Sequence, residues 1–221
     1  STVTALLAEV ANAAGRATIA GGNLGEPALD LLERPVPELY VLELSSFQLE
    51  TTHSLETETA TVLNVTPDHL DRYDSLEDYA ATKAHIFDGC DTAVVNADDA
   101  RVRNMPREGQ RVITFSVLDA AADYFLARVP EPMLTCHGET LLPVAAMRLQ
   151  GEHNAANALA VLAMADALEL PRAPVLAALA EFGGLPHRAQ WVAELGGVRY
   201  VNDSKGTNVG ATIAAVAGLP G

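Results

Sequence analysis

Two segments place charged side chains where apolar runs predict buried strands. Glu43 lies within the apolar run 39–44, and the polar segment 64–73 (NVTPDHLDRY) directly follows a second run, 60–63. A carboxylate in an apolar strand is costly unless it is paired or binds a metal, so Glu43 is a candidate ligand. A position at an exposed strand end is the alternative. His69 is a candidate metal or substrate contact, and a structural or exposed histidine is its alternative.

Lys83 lies within a stretch, residues 76–87, whose pattern predicts a helix. A solvated helix lysine is the ordinary interpretation of such a residue. A lysine held near carboxylates and metal ions has a second option, because its amine can be converted to a carbamate. The carbamate is an anionic metal ligand rather than a cation, so Lys83 is kept as a candidate.

The remaining candidates lie in polar motifs next to predicted strands and helices. GGNLG is a glycine-rich turn that lets the backbone approach a ligand closely, and a purely structural turn is the alternative. SSFQLE supplies hydroxyls and an amide for phosphate or sugar. In GEHNAANALA, Asn154 and Asn157 share a helix face, and Asn154 could instead be an N-cap. In GLPHR, Arg188 could reach a phosphate. In NDSKGTN, Asp203 could hold ribose hydroxyls, and the helix predicted to follow this motif has an N-terminus that favours anions.

The order of the predicted elements indicates an α/β fold built from βαβ units. Helices are predicted over residues 1–14, 27–32, 76–87, 154–168, 173–182 and 209–216, and strands over 17–20, 39–44, 59–65, 92–95 and 111–115. Four short runs between 124 and 149 predict a small antiparallel sheet, and Gly196-Gly197 predicts a hairpin joining 191–194 to 198–201. Ligands bind at the carboxyl ends of parallel strands, which is where the polar segment 64–73 falls.

Composition excludes several function classes. The 221 residues carry a formal net charge of −15, and 49% are hydrophobic, so we expect a folded core and no nucleic-acid or anionic-membrane partner. Cys90 and Cys136 form no CxxC pair, which favours reduced thiols in a cytoplasmic protein over a disulfide framework or zinc site. No apolar run reaches membrane-spanning length, and no signal peptide is visible. The ending GLPG, soon after a helix-like segment, is expected to be a cut within a longer chain.

Taken together and in this order, the motifs resemble those of the Mur ligases of peptidoglycan synthesis. The motifs are STVT, GGNLG, ELYVLELSSFQLET, LNVTPDHLDRY, GEHNAANALA, GLPHR and NDSKGTN. The resemblance implies a mostly parallel P-loop-type sheet, flanked by helices and with a small antiparallel sheet, over residues 1–184. This part would be the central ATP-binding domain, truncated within its P-loop. Residues 185–221 would open a Rossmann-like C-terminal domain that binds the incoming amino acid.

The resemblance also implies an activity. LELSSFQLE and the DHLDRY loop resemble those of members that add glutamate to UDP-N-acetylmuramoyl-L-alanine. ATP-driven amide ligation through an acyl phosphate, with D-glutamate as the amino acid and two Mg²⁺ ions, is therefore expected, in a cytoplasmic monomer. A ligase for L-glutamate and a nucleotide or UDP-muramoyl binding module without catalysis are the alternatives. A folylpolyglutamate-type ligase is disfavoured by SSFQLE.

Residue roles follow from the resemblance position by position. Catalysis would use Lys83, His69 and Glu43, and the metal ligands would be Ser1, Glu43, His69 and Lys83, with Lys83 as the carbamate. ATP would be bound by Ser1, Thr2, Asn154, Asn157, Arg188 and Asp203. The muramoyl and amino-acid substrates would contact Asn23, Ser45, Gln48, His69, Lys205 and Thr207.

One departure from the family pattern concerns the phosphate loop. The family sequence reads roughly GTNGKST, and only its last two residues match here, as Ser1 and Thr2. The lysine of such a loop is the direct cation on the β- and γ-phosphates. We therefore expect these 221 residues alone to have no ligase activity.

Overall fold

The structure is a computed structural model, and it describes residues 1–188, 190–206, 209, 212, 213 and 216. The strands are β1 Thr18–Gly22, β2 Leu39–Glu43, β3 Thr57–Val62, β4 Cys90–Asn96, β5 Arg111–Ser116, β6 Tyr124–Ala127, β7 Met133–Cys136, β8 Glu139–Pro143, β9 Gln190–Leu195 and β10 Val198–Asn202. The α-helices are α1 Thr2–Ala13, α2 Ser46–Leu49, α3 Leu76–Ala84, α4 Glu152–Ala167 and α5 Arg172–Glu181. Short 3₁₀ helices span Asp30–Glu33, His85–Phe87, Val102–Asn104 and Val144–Ala146.

The strands form a mixed α/β arrangement, as the sequence predicted. β1 and β2 pair in parallel, and β3, β4, β5 and β6 follow one another in parallel in a six-stranded sheet. β7 and β8 extend that sheet with antiparallel pairing, so the predicted antiparallel strands continue the main sheet. β9 and β10 form the predicted hairpin.

Helices cover both faces of the six-stranded sheet, which explains its apolar strands. Along β4, Val94 belongs to a core shared with α1, α4 and α5, whereas Ala93 and Val95 belong to a second core that includes Tyr79 of α3. Alternate residues of a strand point to opposite faces, so one strand serves both cores. The helix α4 is buried along most of its length, which fits its Ala- and Leu-rich sequence.

Two local predictions need correction, and one short helix was missed. Residues 27–32 were predicted to be a helix, but the structure has a 3₁₀ helix at Asp30–Glu33 after a turn. The run 146–149 is not a strand, since the 3₁₀ helix Val144–Ala146 occupies its start. The helix α2 was not predicted, because its four residues are too few to show a helical period. Half of the residues of the predicted helix over 209–216 lie outside the described residues.

A cavity of about 760 Å³ lies between β2 and β3. Within the described residues, these two strands are not hydrogen-bonded to each other. Ser1, Glu43, Asn64 and Lys83 line the cavity. The carboxyl ends of β2 and β3 therefore bring the start of α1 and a residue of α3 to one place, as expected for a ligand site in an α/β sheet.

None of the helices in the described part of the chain combines the length and the apolar character that crossing a bilayer requires.

Candidate active site

Glu43, the last residue of β2, is the carboxylate around which the site is built. Its Oε1 accepts a hydrogen bond from Asn23 Nδ2 at 3.2 Å, and its Oε2 lies 2.9 Å from the backbone nitrogen of Ser1. The Ser1 side chain and Asn23 both hydrogen-bond this carboxylate, and such bonds favour its charged form.

The glycine turn GGNLG allows Asn23 to lie close to Glu43. Gly21 and Gly22 pair with Leu42 and Glu43, and the Asn23 N–H donates to the Glu43 carbonyl at 2.7 Å. Gly22 has a φ of +99°, and a Cβ there would lie inside contact distance of the Glu43 carbonyl oxygen. Only glycine fits this position without strain, so the turn is what holds Asn23 against Glu43.

Ser1 is the N-cap residue of α1, and its hydroxyl is hydrogen-bonded by a side chain from far along the sequence. Arg188 Nη2 donates to Ser1 Oγ at 2.7 Å. Thr2 is the first residue of the helix. A cation beside a helix N-terminus makes an environment that favours anions, because the unpaired N–H groups and the helix dipole point the same way.

Lys83 approaches the same carboxylate from α3. Its Nζ lies 4.9 Å from the centre of the Tyr79 ring. Burial lowers the pKa of Lys83, and the negative charges of Asp68 and Glu43 oppose this effect only in part. The amine is thus easier to deprotonate than that of an exposed lysine. The structure brings Ser1, Glu43 and Lys83 together, three of the four predicted metal ligands.

His69 is placed differently from the other predicted ligands. Its ring lies 4.9 Å from that of Phe47 and 6.3 Å from that of Tyr79, and its Nδ1 is 3.9 Å from Asp68. Its backbone φ of 54° is in the left-handed region. In the described residues, no group of three or more His, Cys, Asp or Glu is arranged to hold a metal ion. The predicted ligand set contains only two residues of those types, Glu43 and His69.

Ser45 and Gln48 form a capping box at the start of α2. Gln48 N–H donates to Ser45 Oγ at 3.3 Å, and Ser45 N–H donates to Gln48 Oε1 at 2.8 Å. The capping box orients a short helix directly after Glu43. Both side chains thus have a structural role, and their role with substrate stays a prediction.

Asn154 and Asn157 share one face of α4, as their spacing predicted. Asn154 is buried and donates to the Gln150 carbonyl at 2.8 Å, and Asn157 Nδ2 lies 3.4 Å from Asn154 Oδ1. The helix begins at Glu152 with Gly151 as its N-cap, so the alternative of Asn154 as N-cap is wrong.

The segment after β10 lies near the start of α4. Burial lowers the pKa of His153, and the negative charge of Asp203 opposes that change in part, so the two side chains are near enough to interact electrostatically. Lys205 is exposed, and its N–H donates to the His187 carbonyl at 3.1 Å. Thr207 lies outside the described residues.

Sequence reasoning overlooked Tyr79, whose ring lies near both Lys83 and His69. Tyr79 precedes Lys83 by four residues, so the two occupy the same face of α3. That spacing, together with an aromatic residue before a candidate lysine, was the signal available in the sequence.

The fold and the site define an α/β domain with a candidate ligand site at the carboxyl ends of its parallel strands, and comparisons with known proteins give its family. Residues 1–165 match the Mur ligase middle domain, and the chain belongs to the Mur ligase family.

Relatives that are 51–55% identical to this chain carry the name UDP-N-acetylmuramoylalanine--D-glutamate ligase. The protein from Nitrosococcus oceani is 54% identical over 222 residues, covering 100% of this chain and 49% of that protein. The protein from Alcanivorax borkumensis is 55% identical over 219 residues, covering 99% of this chain and 49% of that protein. The chain thus spans about half the length of the curated relatives it matches.

Among solved structures, UDP-N-acetylmuramate-alanine ligase MurC from Thermotoga maritima superposes with a TM-score of 0.68 at 26% identity. The match covers 93% of this chain and 48% of that chain. The Mur ligase fold expected from the motifs is therefore confirmed.

Proposed function

We propose that the full-length protein containing this chain is an ATP-dependent ligase that joins D-glutamate to UDP-N-acetylmuramoyl-L-alanine. The observation that carries the proposal is the meeting of Ser1, Asn23, Glu43, Lys83 and Arg188 at the carboxyl ends of β1 and β2. The name shared by relatives at 54% and 55% identity supports the choice of this amino acid and this acceptor.

The reaction has two chemical steps. The substrate carboxylate attacks the γ-phosphorus of ATP, giving an acyl phosphate and ADP. The glutamate amine then attacks the acyl carbon, a C–N bond forms, the C–O bond to phosphate breaks, and the amine proton is lost to solvent or a base. Both steps bring anions together, so the site must supply positive charge.

The charge comes from the helix end and the arginine. The N-terminus of α1, with Ser1 and Thr2, would receive the phosphates, and Arg188 would reach them from beside Ser1 Oγ. Asn154 and Asn157 of α4 would hold the adenine. Asp203, whose charge acts on His153 near the start of the same helix, would hold the ribose.

The donor chemistry around Glu43 suits magnesium. Glu43 Oε2 is buried and lies 2.9 Å from the Ser1 nitrogen, and the Ser1 hydroxyl, which also hydrogen-bonds Glu43, is a second oxygen that could ligate a metal ion. Two ions would be held by Ser1, Glu43, His69 and a carbamate of Lys83. Magnesium held there would offset the negative charge of the phosphate and carboxylate oxygens.

Carbamylation of Lys83 would resolve an electrostatic conflict. An ammonium beside Glu43 competes with a metal ion, whereas a carbamate adds oxygen ligands of the kind magnesium prefers. Burial lowers the pKa of Lys83, and this supports the idea because the neutral amine is the form that reacts with CO₂. The Lys83 nitrogen lies 4.9 Å from the centre of the Tyr79 ring.

The UDP-muramoyl substrate would lie along the other side of Glu43. Asn23, Ser45, Gln48 and His69 would contact it, and Lys205 and Thr207 would lie near its acyl end and the incoming amino acid. We further propose that the protein acts as a monomer in the cytoplasm, which agrees with the two free, buried cysteines.

ADP release by the full-length protein tests the proposal, with UDP-N-acetylmuramoyl-L-alanine and either D- or L-glutamate. Turnover with D-glutamate alone supports it. Turnover with L-glutamate alone keeps the ligation and changes the amino acid. Ligand binding without turnover would favour a binding module, and folate-dependent turnover would favour a folylpolyglutamate-type ligase. The 221 residues alone should show no glutamate-dependent ADP release above a Lys83→Ala control.

A further inference from the structure

The Glu50 carboxylate links the loop that carries His69 to the helix α2. Glu50 directly follows α2 and accepts a hydrogen bond from Arg72 Nε at 3.2 Å and from Tyr73 Oη at 2.6 Å. Arg72 Nη2 bonds the other carboxylate oxygen. Two parallel bonds between planar groups fix their relative orientation as well as their separation.

A ring on α2 adds a second set of contacts to the same loop. The Arg72 guanidinium lies 4.9 Å above the centre of the Phe47 ring. The Tyr73 ring stacks on Phe47 at 6.4 Å with an interplanar angle of 7°, and the His69 ring lies 4.9 Å away. Arginine stacks well on aromatic faces, so charge and stacking act on the same pair of segments.

The backbone carries this anchoring to His69. The His69 carbonyl accepts the N–H groups of Arg72 at 2.9 Å and of Tyr73 at 3.3 Å. His69 itself has a φ of 54°, a conformation that a non-glycine residue keeps only when its surroundings enforce it. Whatever holds Arg72 and Tyr73 therefore also holds the turn at His69.

We propose that Glu50 and Arg72, with Phe47 and Tyr73, form a latch that positions the His69 loop against α2. Glu50 and Arg72 are positioning residues, because they act on substrate only through the loop. The latch deepens the proposed function and rests on it, since that function assigns His69 and the residues that begin α2 to the UDP-muramoyl substrate.

The test uses the full-length protein and two latch variants, Glu50→Gln and Arg72→Lys. The first removes the charge, and the second keeps the charge but loses the fork that bonds both oxygens. Glu77→Gln is the control, because Glu77 also forms a surface ion pair with an arginine, Arg101 at 2.9 Å, outside the latch. Two readouts are needed: amide hydrogen exchange of Arg72 and Tyr73, and KM for UDP-N-acetylmuramoyl-L-alanine and for ATP.

Both latch variants should speed exchange at these two amides about two- to five-fold, the range that exposed ion pairs support. KM for the UDP-muramoyl substrate should rise by a similar factor, while KM for ATP and both readouts in Glu77→Gln stay unchanged. Unchanged exchange in both latch variants overturns the latch. Faster exchange with an unchanged KM supports the latch and contradicts the substrate role of the loop in the proposed function.

Discussion

Gly21 is a position where adding one methyl group should disturb the site by a calculable amount. A Cβ at Gly21 would lie 2.5 Å from the Glu26 carbonyl oxygen and 2.8 Å from Leu31 Cδ1, both well inside normal contact separation. Neither neighbour can move freely. The Glu26 carbonyl accepts the Gly22 N–H at 2.8 Å, and Leu31 is buried.

Gly183 provides the matched control for Gly21→Ala. Neither glycine has a φ in the left-handed region, and a Cβ at Gly183 meets nothing within 4 Å. Both alanine substitutions reduce the conformational entropy of the unfolded chain, which alone stabilises by about 0.4–1 kcal/mol. This term cancels between the two variants, so their difference isolates the clash. Overpacking of this kind costs about 1–3 kcal/mol.

Urea unfolding of the 221-residue chain measures the difference directly. Gly183→Ala should be neutral or slightly stabilising, and Gly21→Ala should be less stable than Gly183→Ala by about 1–3 kcal/mol. In the full-length protein, Gly21→Ala should also raise KM for the UDP-muramoyl substrate, because Gly21 pairs with Leu42 next to Glu43. Equal stability of the two variants would refute the close approach of β1 to the segment that follows it.

Two further substitutions test buried groups. Tyr124 is 2% exposed and donates a hydrogen bond to Asp166. Tyr124→Phe should therefore lower the free energy of unfolding by about 1.5–3 kcal/mol. The half-exposed control Tyr200→Phe should change it by less than about 0.5 kcal/mol. Similar losses in both would contradict the buried bond. Burial lowers the pKa of Lys83, so the folded state resists its protonation, and this penalty is relieved as pH rises towards the unfolded value of 10.5. In CO₂-free buffer, Lys83→Met should therefore be more stable than the wild type at pH 7, and the difference in the free energy of unfolding should shrink towards pH 10. The exposed control Lys205→Met should show no such trend. A difference that grew with pH would contradict the burial of Lys83.

The parts of the fold that the sequence predicted are those with a strong local period. The helix α1 carries buried Val3, Leu6, Leu7 and Val10 at helical spacing, and the parallel strands are short apolar runs. Three elements lacked such a signal. The four-residue α2 depends on a capping box, and the segments at 27–32 and 146–149 overlap short 3₁₀ helices, Asp30–Glu33 and Val144–Ala146, which are too short to show a period in the sequence.

The sequence indicated individual candidate residues of the site, but it did not predict which of them contact one another. The apolar run around Glu43 indicated a buried carboxylate, and the structure supplies its partners from Ser1 and Asn23. Arg188 reaches Ser1 across 187 positions of sequence, a contact that only the tertiary fold creates. The latch was missed for a related reason, because Glu50 and Arg72 lie 22 positions apart and appear in the sequence as ordinary surface charges.

The central claim is that the cluster around Glu43 and Lys83 is the reaction centre of a glutamate ligase. The most direct measurement is D-glutamate-dependent ADP release by the full-length protein and its Lys83→Ala variant, each with and without added short-chain carboxylic acids. The account predicts that the variant loses about 100-fold or more of the wild-type rate and that the acids restore part of it, since they replace the carbamate oxygens. A variant that turns over at the wild-type rate without any added acid would contradict the account.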